Sequence, residues 1–294
     1  MMQRMAASLV AQTEDGQELH VTRVGDADAA PLLVLPGGPC RDPEYLGDLA
    51  GLSEIRPLAI LHLRGTSKTG GVSRGWWRDA ADAVGALDRL GLGTADVLAH
   101  SAGTRLALSL AAQHAERVRS LALVTPPSTW LSGVEHDGAG LVEERTEPEV
   151  AQAFASMMGP DPLDEEGFQR ALGREHPAGY GHWDEREKLH ASVGAMTLVA
   201  SLAWFEAVPE DAREKVLRTP LPPTLVVGGE LDILTGVAPV RAYAERLGAE
   251  LAMIPDVGHY PWVEHPEAFR RVMDPWVTAP HRSRTPQEET RYPC

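Results

Sequence analysis

Short apolar runs and helical repeats alternate along most of this 294-residue chain. Continuous or alternating apolar runs predict strands, and apolar residues spaced three or four positions apart predict helices. The predicted strands cover residues 6–13, 18–24, 31–35, 58–63, 97–99 and 118–124 and the runs that begin at 224 and 249. The predicted helices cover residues 76–90, 103–113 and 240–247. Strands that alternate with helices predict an α/β fold, with a mostly parallel central sheet and helices on both faces.

The alternation of strands and helices stops near Thr125 and resumes at Pro223. Between them, residues 127–219 carry 18 acidic and 8 basic side chains, and their pattern is helical over 147–158 and 186–207. We therefore predict a helical cap at 127–219, inserted between the sixth and seventh strands. The core is then formed by 1–126 and 220–280, and 281–294 is a C-terminal tail.

Trp204 and Phe205 end the apolar face of the second cap helix. An apolar stripe of this kind packs against a core, and in a lid it also faces the pocket. We predict that Trp204 and Phe205 bind substrate, and that the cap is mobile and selects which substrates react.

A serine between small residues follows the fifth predicted strand, in Ala99-His-Ser101-Ala-Gly103. In the G-x-S-x-G turn between a strand and a helix, the positions two before and two after the serine must be small. Here these positions hold Ala99 and Gly103. The same sequence is also compatible with an ordinary helix start capped by serine. We predict that Ser101 is a nucleophile.

An acid and a histidine follow this serine, each at the end of a later strand. Asp232 ends the run Thr224-Leu-Val-Val-Gly-Gly-Glu-Leu-Asp232, and His259 ends the run that begins at Ala249. Hydrolases with this serine turn place an acid and then a histidine in this order. We predict Asp232 as the acid, with Asp256 and Glu230 as its competitors.

A glycine pair follows the third predicted strand, in Pro36-Gly-Gly-Pro-Cys40. Such a turn allows a backbone N–H to face the oxyanion that forms during acyl transfer. We predict an oxyanion hole made by Gly38 and Ala102, with Gly37 in contact with substrate. Pro-Gly-Gly-Pro is also a plain turn signal. Cys40 is a weaker candidate nucleophile, because no strand-to-helix turn presents it.

Together these segments resemble the serine hydrolases of the α/β-hydrolase fold, and most closely the proline iminopeptidase-like branch. Pro36-Gly-Gly-Pro-Cys40 is similar to the His-Gly-Gly-Pro-Gly of that branch, Leu63-Arg-Gly-Thr66 to its Asp-Gln-Arg-Gly, and Val257-Gly-His-Tyr-Pro261 to its Gly-His loop. The resemblance covers about residues 6–125 and 220–278. It implies a Ser-Asp-His triad and, within the branch, cleavage at an amino-terminal residue. The cap carboxylates that would bind a free amino terminus have no clear counterpart here.

The composition of the chain limits the classes of molecule that we expect as binding partners. Net charge is −15, from 42 acidic and 27 basic residues, which disfavours nucleic acids and anionic membranes as partners. The two cysteines give no disulfide framework, and neither a signal peptide nor a membrane span is evident, so we expect a soluble cytoplasmic protein. Histidine spacing and glycine loops predict neither a metal nor a cofactor. The expected partner is a small-molecule substrate, and the oligomeric state is left open.

The sequence thus predicts a serine hydrolase that cleaves a small-molecule ester, lactone or amide through an acyl-enzyme. An amino-terminal aminoacyl or prolyl bond is among the candidates. The alternative is a ligand-binding or non-hydrolytic biosynthetic protein built on the same fold.

Overall fold

The computed structural model describes residues 7–280 and contains one eight-stranded sheet in the order β1-β2-β4-β3-β5-β6-β7-β8. The strands are β1 Ala7–Gln12, β2 Glu18–Val24, β3 Leu32–Leu35, β4 Leu58–Leu61, β5 Ala95–His100, β6 Val118–Val124, β7 Thr224–Gly229 and β8 Glu250–Ile254. β1 and β2 form an antiparallel hairpin, and β2 pairs antiparallel with β4. The strands from β3 to β8 are parallel to one another. The predicted fold class is confirmed. Ala6 and the predicted tail lie outside the described residues.

The central strands are buried on both faces, which explains their continuous apolar sequences. All four residues of β3 and all six of β5 are buried. Successive side chains of a strand point to opposite faces. Accordingly, Leu33 and Leu35 pack into one apolar cluster, whereas Leu32 and Val34 pack into a second cluster on the other face.

Helices cover both faces of this sheet. Those of the core are α1 Ala80–Arg89, α2 Gly103–Gln113, α10 Ala238–Leu247, α11 Pro261–Glu264 and α12 Pro266–Thr278. The helices α1, α2 and α10 contribute to the first cluster, and α12 contributes Phe269 and Met273 to the second. The helix predicted at 76–90 begins later, at Ala80. Residues 76–79 form a turn in which the N–H groups of Arg78 and Asp79 donate to the Gly75 carbonyl, and the N–H of Trp76 donates to the Trp204 carbonyl over 2.9 Å.

Residues 127–219 lie between β6 and β7 and contain helices and no strand. These helices are α3 Thr129–Ser132, α4 Gly138–Glu143, α5 Pro148–Met157, α6 Glu165–Glu175, α7 Glu185–Ala191, α8 Leu198–Trp204 and α9 Ala212–Arg218. The single helix predicted over 186–207 is wrong, since α7 and α8 are separate. Gly194, between them, has a φ of +85°, and a Cβ there would lie 2.4 Å from the Asp42 carbonyl oxygen. The helix is interrupted at this point, where the chain packs against the loop after β3.

Two contacts fasten this helical segment to the sheet. Arg41, in the loop after β3, donates from Nε to the Val193 carbonyl over 3.1 Å and from Nη2 to the Ala191 carbonyl over 3.2 Å. Trp204 is fully buried and belongs to the same apolar cluster as Trp76. Within residues 7–280, no helix combines the length and apolar character that crossing a bilayer requires.

We predict that Trp204→Ala lowers the free energy of unfolding by about 3–5 kcal/mol, because it leaves a cavity where the segment meets the core. Phe205→Ala is the matched control: its ring is 50% exposed, so the expected loss is below about 1 kcal/mol. Urea denaturation measures both. Equal losses would show that Trp204 does not fasten the segment.

Candidate active site

Ser101 occupies a sharp corner between β5 and α2. Its φ is +49°, a conformation that non-glycine residues rarely adopt. Two hydrogen bonds hold the corner: the Ser101 N–H donates to the Val124 carbonyl over 2.9 Å, and the Thr104 hydroxyl donates to the Ser101 carbonyl over 2.6 Å. The strand-to-helix turn predicted around this serine is therefore present, and its backbone is fixed on both sides.

Small residues around Ser101 are required by close packing. A Cβ at Gly103 would lie 2.4 Å from the Pro36 carbonyl oxygen, and a Cβ at Gly37 would lie 2.6 Å from the Ser101 Cβ. The glycine loop after β3 therefore rests directly on the serine turn. Ala99 is fully buried in β5, where its methyl group fits the core.

Asp232 and His259 form a buried hydrogen-bonded pair. Oδ2 of Asp232 lies 2.9 Å from Nδ1 of His259. The same carboxylate accepts hydrogen bonds from the Thr235 hydroxyl over 2.6 Å and from the Leu234 N–H over 2.9 Å. Asp232 is 0% exposed and His259 is 3% exposed. These bonds fix the orientation of the carboxylate, and the carboxylate in turn fixes the imidazole.

The competing acids point elsewhere. Asp256 is on the surface and its carboxylate lies 3.1 Å from His182 Nε2. Glu230 is half exposed and lies 3.6 Å from Arg241. Neither carboxylate contacts His259, which leaves Asp232 as the carboxylate at Nδ1 of that histidine among residues 7–280.

His100 links the serine turn to the His259 loop. Its Nε2 lies 3.1 Å from the His259 carbonyl oxygen, so Nε2 must carry the proton. Its Nδ1 then accepts from the Tyr45 hydroxyl over 2.9 Å, and that hydroxyl oxygen accepts from the Gly37 N–H over 2.6 Å. Burial holds the pKa of His100 well below its ordinary value, which keeps the ring neutral. His100 is thus a connecting group, and sequence motifs gave no indication of Tyr45.

The serine hydroxyl itself is free. Within the described part of the chain, Ser101 Oγ forms no hydrogen bond, and the backbone N–H groups of Gly38 and Ala102 form none either. Gly37 differs, because its N–H is engaged by Tyr45. The structure therefore leaves two unpaired amide donors, one from the glycine loop and one from the start of α2, on either side of the serine turn.

The thiol of Cys40 is not activated as a nucleophile. Its side chain is 1% exposed. Burial raises the pKa of the thiol to about 12, so the nucleophilic thiolate is not populated near neutral pH.

Glu264 joins the His259 loop to the helical segment. Its carboxylate accepts hydrogen bonds from the Gly258 N–H over 2.9 Å and from the Gly181 N–H over 2.7 Å. Burial raises the pKa of Glu264 to about 8 and outweighs these two hydrogen bonds, which lower it. Sequence analysis did not select Glu264, because it lies within the short helix α11 and matches no motif.

One groove is formed by the helical segment and is not lined by the serine. It has a volume of about 900 Å³, and residues of α5 and α6, including Met157, Phe168 and Arg174, form its walls. Within residues 7–280, no group of three or more His, Cys, Asp or Glu side chains is arranged to hold a metal ion.

A family model described as the alpha/beta hydrolase fold matches residues 56–266. The chain belongs to the α/β hydrolase family. A 2-hydroxymuconate semialdehyde hydrolase of Pseudomonas sp. (strain CF600) is 28% identical over 204 residues. That match covers 67% of this chain and 66% of the relative, slightly less than two thirds of its length.

Solved esterases share the fold of this α/β hydrolase. An esterase from Exiguobacterium antarcticum superposes with a TM-score of 0.71 at 18% identity, covering 93% of this chain and all of the other. A carboxylesterase from Bacillus subtilis superposes with a TM-score of 0.67 at 18% identity, covering 94% of this chain and 93% of the other. At these identities the likeness establishes the architecture.

We expect Glu264 to make the stability of this α/β hydrolase fall as pH rises. The folded-state pKa is about 8 against an ordinary value of 4.5, so between these values the folded state binds more protons than the unfolded state. The free energy of unfolding then decreases by at most about 1.4 kcal/mol per pH unit across that window. Glu264→Gln should remove this slope, as measured by urea denaturation from pH 5 to pH 8.

The matched control is Glu267→Gln, on the exposed first turn of α12. It should keep the pH dependence of the wild type. A Glu264→Gln variant that parallels the wild type at every pH would contradict the assignment.

Proposed function

We propose that this chain is a serine hydrolase that cleaves a carboxylic ester or lactone, with Ser101 as nucleophile, His259 as general base and Asp232 as the orienting acid. The observation that supports this most is the buried Asp232–His259 hydrogen bond of 2.9 Å beside a serine held at a positive φ. The hydrolase named among the relatives and the esterases that share the fold agree with it.

The chemistry follows from the fixed orientation of His259. Its Nδ1–H donates to Asp232, so the lone pair of Nε2 is available to accept the Ser101 proton. Ser101 Oγ then bonds to the carbonyl carbon, and the imidazolium returns the proton to the departing alkoxide. Water, deprotonated by the same Nε2, next attacks the acyl-enzyme and releases the acid. Asp232 stabilises the imidazolium in both halves of the reaction.

The unpaired N–H groups of Gly38 and Ala102 are suited to the tetrahedral oxyanion. Backbone donors placed before the reaction need no reorganisation when the charge develops. Loss of one such donor typically costs about 3–4 kcal/mol of transition-state stabilisation. Gly37, with its N–H already engaged by Tyr45, would support this loop and line the pocket.

An ester or lactone fits the charges better than an amino-terminal peptide bond does. An iminopeptidase-like site needs an uncommitted carboxylate to bind the substrate ammonium. The buried carboxylates of Asp232 and Glu264 each accept two or more hydrogen bonds already. We therefore place the aminopeptidase activity second.

The helical segment at 127–219 is proposed to act as a lid that selects the substrate. Its contacts with the glycine loop run through Arg41, and its Met196 Sδ would lie 3.3 Å from a Cβ at Gly38. Phe205, half exposed, is the better placed of the two proposed substrate contacts, since Trp204 is fully buried. Lids of this kind exclude water and complete the pocket.

Ser101→Ala should reduce turnover of 4-nitrophenyl esters by about a million-fold if the three residues act as a unit. Wild-type protein should be labelled stoichiometrically by a fluorophosphonate, and Ser101→Ala should not be labelled. Cys40→Ser should keep most of the turnover and all of the labelling. Wild-type turnover in Ser101→Ala, with circular dichroism unchanged, would refute the nucleophile. Absence of both turnover and labelling in the wild type would favour a non-hydrolytic protein.

Asp232→Asn should lower kcat by about ten-thousand-fold, because the amide stabilises the wrong histidine tautomer. Asp256→Asn, which removes the carboxylate at His182, should leave kcat within about twofold of wild type, as expected for a surface change. Steady-state kinetics on one 4-nitrophenyl ester compares the two. The reverse pattern would move the acid to Asp256.

A further inference from the structure

Arg105 lies in the first turn of α2, four residues after Ser101. Four residues of helix advance about 6 Å along its axis. Side chains on a helix lean towards its N-terminus, so that of Arg105 leans back towards the serine turn. The backbone of Arg105 is therefore about one helical turn from that of the proposed nucleophile.

Three aromatic rings surround this guanidinium. The Arg105 Cζ lies 4.8 Å from the ring centre of Trp130, 5.4 Å from that of Phe205 and 5.9 Å from that of Trp76. Trp76 follows β4, Trp130 follows β6, and Phe205 ends α8 of the proposed lid. The carboxyl ends of parallel strands form the crevice where open α/β sheets bind ligands. Arg105, in the first turn of the helix that follows the serine corner, lies at this same edge of the sheet.

The charge of Arg105 is unmatched. Its guanidinium forms neither a hydrogen bond nor an ion pair with any residue in 7–280. Burial lowers the pKa of Arg105 to about 10, a direction opposite to that of Arg64. Even at that value the group is a cation at neutral pH.

Arginines that are more deeply buried than Arg105 are satisfied. Arg64 pairs with Asp82 over 2.6 Å, and the buried guanidinium of Arg41 donates to backbone carbonyls and to the Tyr260 hydroxyl. Contact with aromatic faces returns to a cation less free energy than the cation loses on leaving water. The chain has 42 acidic residues. None of those within residues 7–280 forms an ion pair with Arg105.

One ring beside the guanidinium carries a second unpaired donor. The indole N–H of Trp130 is buried without an acceptor in the described chain. Buried donors are normally paired, and each one left unpaired requires an explanation. A guanidinium and an indole donor without acceptors are complementary to an anion.

We propose that Arg105 binds a carboxylate carried by the substrate. This rests on the proposed ester hydrolysis and names its substrate class: a half-ester or lactone whose second carboxylate is separated from the reacting carbonyl by a short carbon chain. The guanidinium fork takes both carboxylate oxygens, the rings pack around the guanidinium, and the pair fixes the carbonyl at Ser101. Arg105 is a specificity-determining residue and takes no part in proton transfer.

The decisive measurement is kcat/KM for two matched substrates. One is the mono-4-nitrophenyl ester of glutaric acid, which carries a free carboxylate, and the other is its neutral terminal carboxamide. Succinate and adipate analogues vary the chain length. Wild type should prefer the anionic ester of the best length by about a hundredfold, mainly through KM, because a neutral amide leaves the cation unpaired. Arg105→Met should abolish the preference and leave the neutral substrate within about threefold.

Two further variants separate charge from packing. Arg105→Lys keeps the charge without the fork and should restore part of the preference. Arg78→Met removes a charge from the exposed surface beside Trp76 and should leave the preference unchanged. Fluorophosphonate labelling of Ser101 should be equal in all of these proteins.

Equal rates on both substrates in wild type, or equal losses on both in Arg105→Met, would overturn the carboxylate site while leaving the hydrolase intact. A direct binding experiment stands apart from turnover. In Ser101→Ala, titration with glutarate should quench tryptophan fluorescence, and the double variant with Arg105→Met should show no quenching. If no ester is cleaved and Ser101 is not labelled, the proposed function fails, and the glutarate titration still decides for or against the anion site.

Discussion

A single chain of hydrogen bonds joins the three loops on which the candidate site depends. It runs from the Gly37 N–H to the Tyr45 hydroxyl, from that hydroxyl to His100, and from His100 to the His259 carbonyl. Each member has a defined direction, because the carbonyl at one end accepts and the amide at the other donates. The network therefore sets the spacing between the glycine loop, the serine turn and the histidine loop before any substrate arrives. Neutral groups throughout make it insensitive to the screening that weakens ion pairs.

The order of the strands explains how residues far apart in sequence meet. Parallel strands end on the same edge of the sheet, so loops after β3, β5, β7 and β8 converge there. Asp232 and His259 are separated in sequence by one helix and one strand. Because their loops converge, Oδ2 of Asp232 lies 2.9 Å from Nδ1 of His259. Hydrogen bonds from the Thr235 hydroxyl and the Leu234 N–H then hold the Asp232 carboxylate in place.

The elements that sequence analysis predicted are those whose cause is local. Continuous apolar runs revealed the buried strands, and the small residues around Ser101 revealed the turn, because backbone crowding acts on neighbours in the chain. The gap between α7 and α8 has its cause elsewhere in the fold, at Asp42. Tyr45, Glu264 and Arg105 were missed for the same reason. Their importance lies in what the fold brings next to them, and no spacing in the sequence records it.

The Arg41 side chain binds the main chain of the helical segment: it donates hydrogen bonds to the carbonyl groups of Ala191, Val193 and Gly194. Carbonyl groups are supplied by every residue type, so the side chains of Ala191 and Val193 can be exchanged without removing the acceptors. The attachment of the helical segment is thereby decoupled from the identity of its residues. Such an attachment permits the side chains of the segment to diverge while its main chain stays in register with the glycine loop. For the lid proposed above, new substrate preferences can then be acquired with the anchor left in place.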